Sequence, residues 1–264
     1  EDVADAANSL PNCGIAIEGA NAAGYGDLYA GLVVGYNVVR NCSGDLSSIR
    51  GVGLWLKAGN PTTDSNRMRV IGNTLNDCNI NFRATADTTE SRLGYVFQNN
   101  ISTMPKAGGY HAYVGNASTR DPIMSHNCWY PDTSSGNNRF LWRIGTRTNF
   151  ADFATVATTD GAVVSPGSKV ADPRFTNPTG GDFTLQAGSP AIDAGANLGD
   201  AYDDALHPDA DWPEAVTAID QDNCGTAWEI GAYGYVAAPV TTYTLTVSAT
   251  NGAVTKSPSK TTYA

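Results

Sequence analysis

Apolar and polar residues alternate along this chain in short bursts, and the bursts recur. Ile15-Ala-Ile-Glu18, Leu54-Trp-Leu-Lys57, Ile80-Asn-Phe-Arg83, His111-Ala-Tyr-Val114 and Phe140-Leu-Trp-Arg143 each read as a short strand with one apolar side. A turn opening on asparagine precedes most of them, at Asn8, Asn37, Asn73, Asn100 and Asn127, with spacings of 29, 36, 27 and 27 residues. Further apolar segments run into these turns, at Val34-Gly-Tyr-Asn37, Val70-Ile-Gly-Asn73, Phe97-Gln-Asn-Asn100 and Met124-Ser-His-Asn127. Units of two or three short strands at a period near 30 residues mark a solenoid, because one unit alone cannot bury its apolar side. The pattern predicts an all-β chain: a right-handed parallel β-helix solenoid over residues 1–148, with insertions as loops at 19–28, 44–52, 59–66 and 130–138. An asparagine repeated at one turn is expected to hydrogen-bond its amide to the asparagine of the next coil.

The pattern then changes. Asn149-Phe-Ala-Asp-Phe-Ala-Thr-Val-Ala157 reads as a two-turn helix with Asn149 as N-cap and Phe150, Phe153 and Val156 on one face. Residues 149–237 hold this helix, the last coils and a loop-rich capping region of the same domain. Thr242–Pro258 alternates about an Asn251-Gly252 hairpin signal, so 238–264 is expected to open a following module of a longer chain.

Alternation also fixes direction. With Ile15/Ile17, Leu54/Leu56, Ile80/Phe82, Ala112/Val114 and Phe140/Trp142/Ile144 facing in, the outward set is Ala16 and Glu18, Trp55 and Lys57, Asn81 and Arg83, His111 and Tyr113, Leu141 and Arg143. Stacked coils bring these into rows about 5 Å apart. Glu18, Trp55, Lys57, Asn81, Arg83, His111, Tyr113 and Arg143 are therefore the candidate ligand-binding residues. Aromatic faces pack on sugar C–H surfaces while Arg and Asn reach hydroxyls, so the pattern suits a polysaccharide. Tyr36, Tyr110, Trp129 and Tyr130 are secondary candidates.

Composition narrows the partner. Sixteen basic against 26 acidic residues, net −10, argues against nucleic acid. No apolar run approaches a membrane span. Cys13, Cys42 and Cys78 close three successive turns and are expected to stack, as one disulfide or as a ladder of thiols; Cys128 and Cys224 stand apart. No Cys-x-x-Cys pair supports zinc. Eight acids between Asp200 and Asp222 (Asp200, Asp203, Asp204, Asp209, Asp211, Glu214, Asp220 and Asp222) read as a solvated loop that could hold a structural Ca²⁺; no other cofactor is expected.

Val170-Ala-Asp-Pro-Arg-Phe175, Gly181-Asp-Phe-Thr-Leu-Gln186, Gly188-Ser-Pro-Ala-Ile-Asp-Ala-Gly195 and Glu229-Ile-Gly-Ala-Tyr-Gly-Tyr235 together resemble the carboxy-terminal part of secreted bacterial right-handed parallel β-helix proteins of the pectate-lyase-like superfamily. The tail resembles the opening hairpin of divergent internalin-type B repeats. The resemblance implies a secreted or cell-surface polysaccharide-active or adhesive module beside other modules of the same parent chain. Lys57 and Arg83, read at one register on adjacent coils, resemble the lysine and arginine of β-helix polysaccharide lyases, in which lysine removes the proton α to a uronate. The acids that would neutralise the uronate are missing from the neighbouring coils. Hydrolysis needs two carboxylates across the face, and only Glu18 is acidic there. The leading expectation is a non-catalytic module binding a plant cell-wall polysaccharide of xylan or β-glucan type. The alternatives are a lyase using Lys57 and Arg83, and an adhesive or structural solenoid.

Overall fold

The computed structural model describes residues 13–18, 31–44, 50–57, 67–85, 94–115, 122–132, 139–210, 215–237 and 250–252. The turn at Asn8, the loops 19–28 and 59–66 and most of the hairpin about Asn251 lie outside the described residues.

The chain is all-β, and its main sheets are parallel. Strands recur in threes: β1 (Cys13–Glu18), β2 (Val33–Gly35) and β3 (Val38–Arg40); β4 (Val52–Lys57), β5 (Met68–Ile71) and β6 (Thr74–Asn76); β7 (Ile80–Ala84), β8 (Tyr95–Gln98) and β9 (Ile101–Thr103); β10 (Tyr110–Val114), β11 (Ile123–Met124) and β12 (Cys128–Tyr130). A fifth round holds β13 (Arg139–Trp142), β14 (Gly145–Arg147), helix α1 (Phe150–Thr159) and β15 (Val163–Val164). Each strand pairs with its counterpart one round away, so one sheet runs β1-β4-β7-β10-β13-β14, a second β15-β11-β8-β5-β2 and a third β12-β9-β6-β3. This is the β-helix-like stacking predicted from the period.

Two kinds of corner turn the chain. Tyr36, Gly72, Asn99 and His126 each precede a ladder asparagine and each has φ between 51° and 59°. Asn41, Asp77 and Met104 do the same after the third sheet, with φ from 47° to 60°. A left-handed residue costs an L-side chain roughly 1 kcal/mol, so the corners need compensation. The asparagines supply it: Asn37 Nδ2 donates to Asn73 Oδ1 at 3.0 Å, Asn73 Nδ2 to Asn100 Oδ1 at 2.9 Å and Asn100 Nδ2 to Asn127 Oδ1 at 3.2 Å. The expected ladder is present.

Columns of like position fill the interior. Leu54, Phe82, Ala112 and Phe140 form one, and Leu56, Ala84, Val114 and Trp142 another. Helix α1 closes the column end, with Phe153 5.0 Å from the Phe140 ring and Phe150 5.6 Å from Trp129. The predicted cap holds: Asn149 Oδ1 accepts from the Asp152 N–H at 2.8 Å. Asn149→Ala is expected to lower stability by about 1 kcal/mol, read as a fall in the urea midpoint at unchanged slope; an unmoved midpoint would show the cap contributes nothing.

Beyond the helix, β16 (Phe175–Asn177) and β17 (Asp182–Leu185) form a hairpin, and β18 (Asp204–Leu206) pairs with β19 (Ala218–Asp220). This region covers the third sheet. Phe175, Phe183, Leu185, Ala191 and Ile230 pack against Ile101, Cys128 and Val38. Asn99 clamps the strap from both sides, donating to the Ala196 carbonyl and accepting from its N–H, each at 2.8 Å. One face of the stack is thereby closed; the candidate ligand-binding residues lie on the first sheet.

Two expectations need correction here. Ile144 does not face in: it sits at the tip of the β13–β14 hairpin, 84 % exposed. Cys13 does not stack on Cys42 and Cys78: it shares a register with Val52 and Ile80, two places beyond Cys78. All five cysteines are thiols.

Candidate functional site

On the first sheet Ala16, Trp55, Arg83, Tyr113 and Leu141 occupy one register row, each the Cα partner of the next. The row differs from the expected one: Arg83 stands beside Trp55, not beside Lys57. The Arg83 guanidinium carbon lies 4.2 Å from the Trp55 ring centroid and 5.5 Å from that of Tyr113, so the cation is held between two rings. Tyr110 meets Tyr113 edge to face at 5.4 Å.

The middle of this row is not an open platform. Trp55 is only 6 % exposed and packs with Val52 and Ile80, beside Cys13, Tyr110 and Tyr113. Its Nε1 donates to Thr85 Oγ1 at 2.8 Å. Leu141, at the far end, is also buried. Val52, Ile80 and Tyr110 lie three positions before the row in their strands yet share its side of the sheet, and their apolar surface encloses the indole. The half-buried members are Arg83, Tyr110 and Tyr113. Thr85, the indole's partner, carried no sequence signal beyond the need of a buried Trp N–H for an acceptor.

Asn81 and His111 do not project outward. Both are fully buried. Asn81 Nδ2 donates to Ser102 Oγ at 2.9 Å and to the Leu75 and Thr103 carbonyls, and its Oδ1 accepts from the Cys78 N–H. The His111 ring stacks on Phe140 at 5.2 Å, with Nδ1 2.8 Å from Ser102 Oγ and Nε2 3.0 Å from the Pro131 carbonyl. The strand enters the sheet at a corner, so two successive residues, Asn81 and Phe82 or His111 and Ala112, both point in; a bulge between Tyr110 and Ala112 accommodates the second pair. Burial lowers the imidazole pKa to about 4, against the hydrogen bonds that favour protonation.

Arg143 also leaves the row. It stands in the β13–β14 turn at φ 56°, with Nε 3.2 Å from Asp160 Oδ2, the oxygen that accepts the Trp142 Nε1–H at 2.6 Å. It fastens the hairpin to the helix. Glu18 and Lys57 are Cα partners at the ends of β1 and β4, and their side chains lie outside the described residues. Lys57 and Arg83 are not at one register: Arg83 pairs with Trp55 and Ala84 with Leu56, which sets Lys57 two places further on. Among the secondary candidates, Trp129 is core and the Tyr36 hydroxyl donates to the Tyr202 carbonyl.

Of the eight loop acids, Asp203, Asp220 and Asp222 bring one oxygen each within 4.8 Å of one another. Protein donors already engage two of them: Asp222 Oδ1 accepts from Trp228 Nε1 at 2.6 Å and Asn197 Nδ2 at 3.2 Å, and Asp220 accepts from the Asp222 N–H and Asn223 Nδ2. These bonds hold the loop, and the same three carboxylates are the group that could hold a cation.

No family model, curated protein or solved structure matches this chain.

Proposed function

We propose that this chain is a right-handed parallel β-helix that binds a neutral or lightly substituted plant cell-wall polysaccharide, of xylan or β-glucan type, without cleaving it. It would act outside the cell, as one module of a longer polysaccharide-degrading protein. The observation that carries the reading is the Trp55–Arg83–Tyr113 row. A guanidinium clamped between two rings is a rigid planar donor, and the half-buried rings of Tyr113 and Tyr110 flank it with surface suited to sugar C–H groups. Trp55 supports this surface from beneath instead of meeting the glycan itself. Little side-chain freedom remains to be lost on binding, which favours a weakly interacting polymer.

A lyase pair finds no support in the geometry, since Lys57 is displaced from Arg83 along the strand and Arg83 is committed to the rings. No carboxylate stands in the row, which leaves inverting or retaining hydrolysis without its acids.

Affinity electrophoresis in xylan and β-glucan gels, with an ultraviolet assay for unsaturated products, tests the reading. Retardation without product is expected. Arg83→Ala and Tyr113→Ala should each weaken retardation about fivefold, the equivalent of roughly 1 kcal/mol for a stacking or cation–π contact. Product formation would sink the non-catalytic reading. Unaltered retardation in both variants would place the site elsewhere, and no retardation of the parent in any gel would leave an adhesive solenoid as the better account.

A further inference from the structure

We propose that Cys42 and Cys78 form an oxidisable dithiol, a site at which a small disulfide such as oxidised glutathione staples the first described coil covalently to the second. Arg40 and Asn76 are Cα partners, so the two cysteines that follow them by two residues stand at one register on adjacent coils. The Asn79 N–H donates to the Cys42 carbonyl at 2.9 Å, which locks the backbones together there. Stacked strands hold such residues about 5 Å apart, inside the Cα separation that a disulfide bridges. Nothing bulky intervenes on the neighbouring strands. An ideal Cβ on Gly14 would lie 3.2 Å from the Cys42 sulfur and one on Gly53 3.1 Å from the Cys78 sulfur, so glycine at both positions leaves the thiols their room.

The two thiols differ in the way that exchange requires. Cys42 is half-buried and Cys78 buried. Exposure sets their order: Cys42 is the thiol that an oxidant in solvent reaches, with Lys106 nearby to favour its thiolate, while burial pushes Cys78 up. Cys42 is therefore the attacking thiolate and Cys78 the resolving thiol. Cys42 gives its proton to solvent and its sulfur attacks the oxidant's disulfide, expelling one thiolate. Cys78 then attacks the mixed disulfide, expelling the second. Two protein thiols are oxidised, one disulfide is reduced to two thiols, and the protons balance. Cys128 and Cys224 are poor competitors, since burial raises them to about 12 and about 11.

The test uses the whole folded chain. It is incubated with oxidised glutathione, denatured, alkylated and mapped by mass spectrometry. The expected product has lost two hydrogens, carries a Cys42–Cys78 cross-linked peptide, and melts about 5 °C higher than the reduced chain. In Cys78→Ser, Cys42 should stop at the mixed disulfide and retain one glutathione; if that variant does not fold, the cross-link map of the parent decides alone. Full alkylation of both cysteines after oxidation, or a cross-link through Cys13, Cys128 or Cys224, overturns the proposal.

Discussion

Replacing Asn73 by alanine should cost this protein about 3–5 kcal/mol, the largest loss expected from any single polar substitution in the stack. The side chain is fully buried and donates to the Val34 and Ile71 carbonyls and to Asn100 Oδ1 at 2.9–3.0 Å, while accepting from the Asn37 N–H and Asn37 Nδ2 at 3.0 Å each. Alanine leaves the Asn37 N–H and the Val34 carbonyl without this partner, while Asn100 Oδ1 keeps the Asn73 N–H, the Ile71 carbonyl the Tyr36 N–H and Asn37 Nδ2 the Gly35 carbonyl. One buried unsatisfied group costs roughly 1–3 kcal/mol, and partial relaxation keeps the sum below the simple total. Asn73 also ties the corner after Gly72 to the neighbouring coils, so its loss loosens the turn between the second and third sheets. Urea denaturation of parent and variant measures the difference. Asn37→Ala, at the half-buried end of the ladder, should cost distinctly less. A loss under about 1 kcal/mol at Asn73 would show that the ladder decorates a stack held by its apolar columns alone.

The ladder was legible in the sequence because it is periodic: four asparagines repeat at one corner, and a period survives ignorance of the third dimension. Trp55, Arg83 and Tyr113 were legible as outward residues, but not as one row: alternation set Lys57 beside Arg83, whereas the strands pair Arg83 with Trp55 and Tyr113. Strict alternation failed at the corners. It treats a strand as flat, whereas the chain bends as it enters the first sheet, and position 81 turns inward beside position 82. A signal was present. Gly14, Gly53, Asn81 and His111 share that register, and a place that admits glycine twice and otherwise carries hydrogen-bonding side chains is a tight interior corner. Cys13 was misplaced because the asparagine turns were aligned by sequence alone, and two residues of offset are invisible until Cys13 is seen opposite Val52. Ile144 was assigned to the core by extending the strand two residues too far; isoleucine at the tip of a hairpin breaks the usual turn chemistry. The burial of Trp55 follows from the same error. Once Val52 and Ile80 are known to face outward, the indole has apolar neighbours and stops being a surface.

Stability should be nearly level between pH 4.5 and 6.5 and then fall from pH 6.5 to 8. The buried groups His111 and Glu229 have the largest opposing shifts between pH 4 and 8. His111, near 4 against a usual 6.5, is favoured neutral by the fold; its contribution is complete above pH 6.5 and is lost as pH drops towards 4, by about 3 kcal/mol in all. Glu229 behaves in the opposite sense. Its carboxyl is fully buried, burial raises it from 4.5 to about 8, and nearby Asp193 adds to the rise against opposing backbone N–H groups of Glu229 and Tyr235. The native state therefore keeps Glu229 protonated, and its contribution, complete below pH 4.5, is lost as pH rises to 8, by about 5 kcal/mol. Between 4.5 and 6.5 the two slopes are equal and opposite, which gives the plateau; above 6.5 the histidine no longer opposes the glutamate slope. Glu229→Gln replaces the acid by a neutral group of the same shape, so it should match the parent near pH 4.5 and exceed it by a few kcal/mol at pH 8. Urea midpoints across pH 4–9 for both proteins provide the check. A parent that gains stability between pH 6.5 and 8, or a Glu229→Gln variant that tracks the parent throughout, would mean that Glu229 is ionised in the folded chain and that its surroundings stabilise the charge.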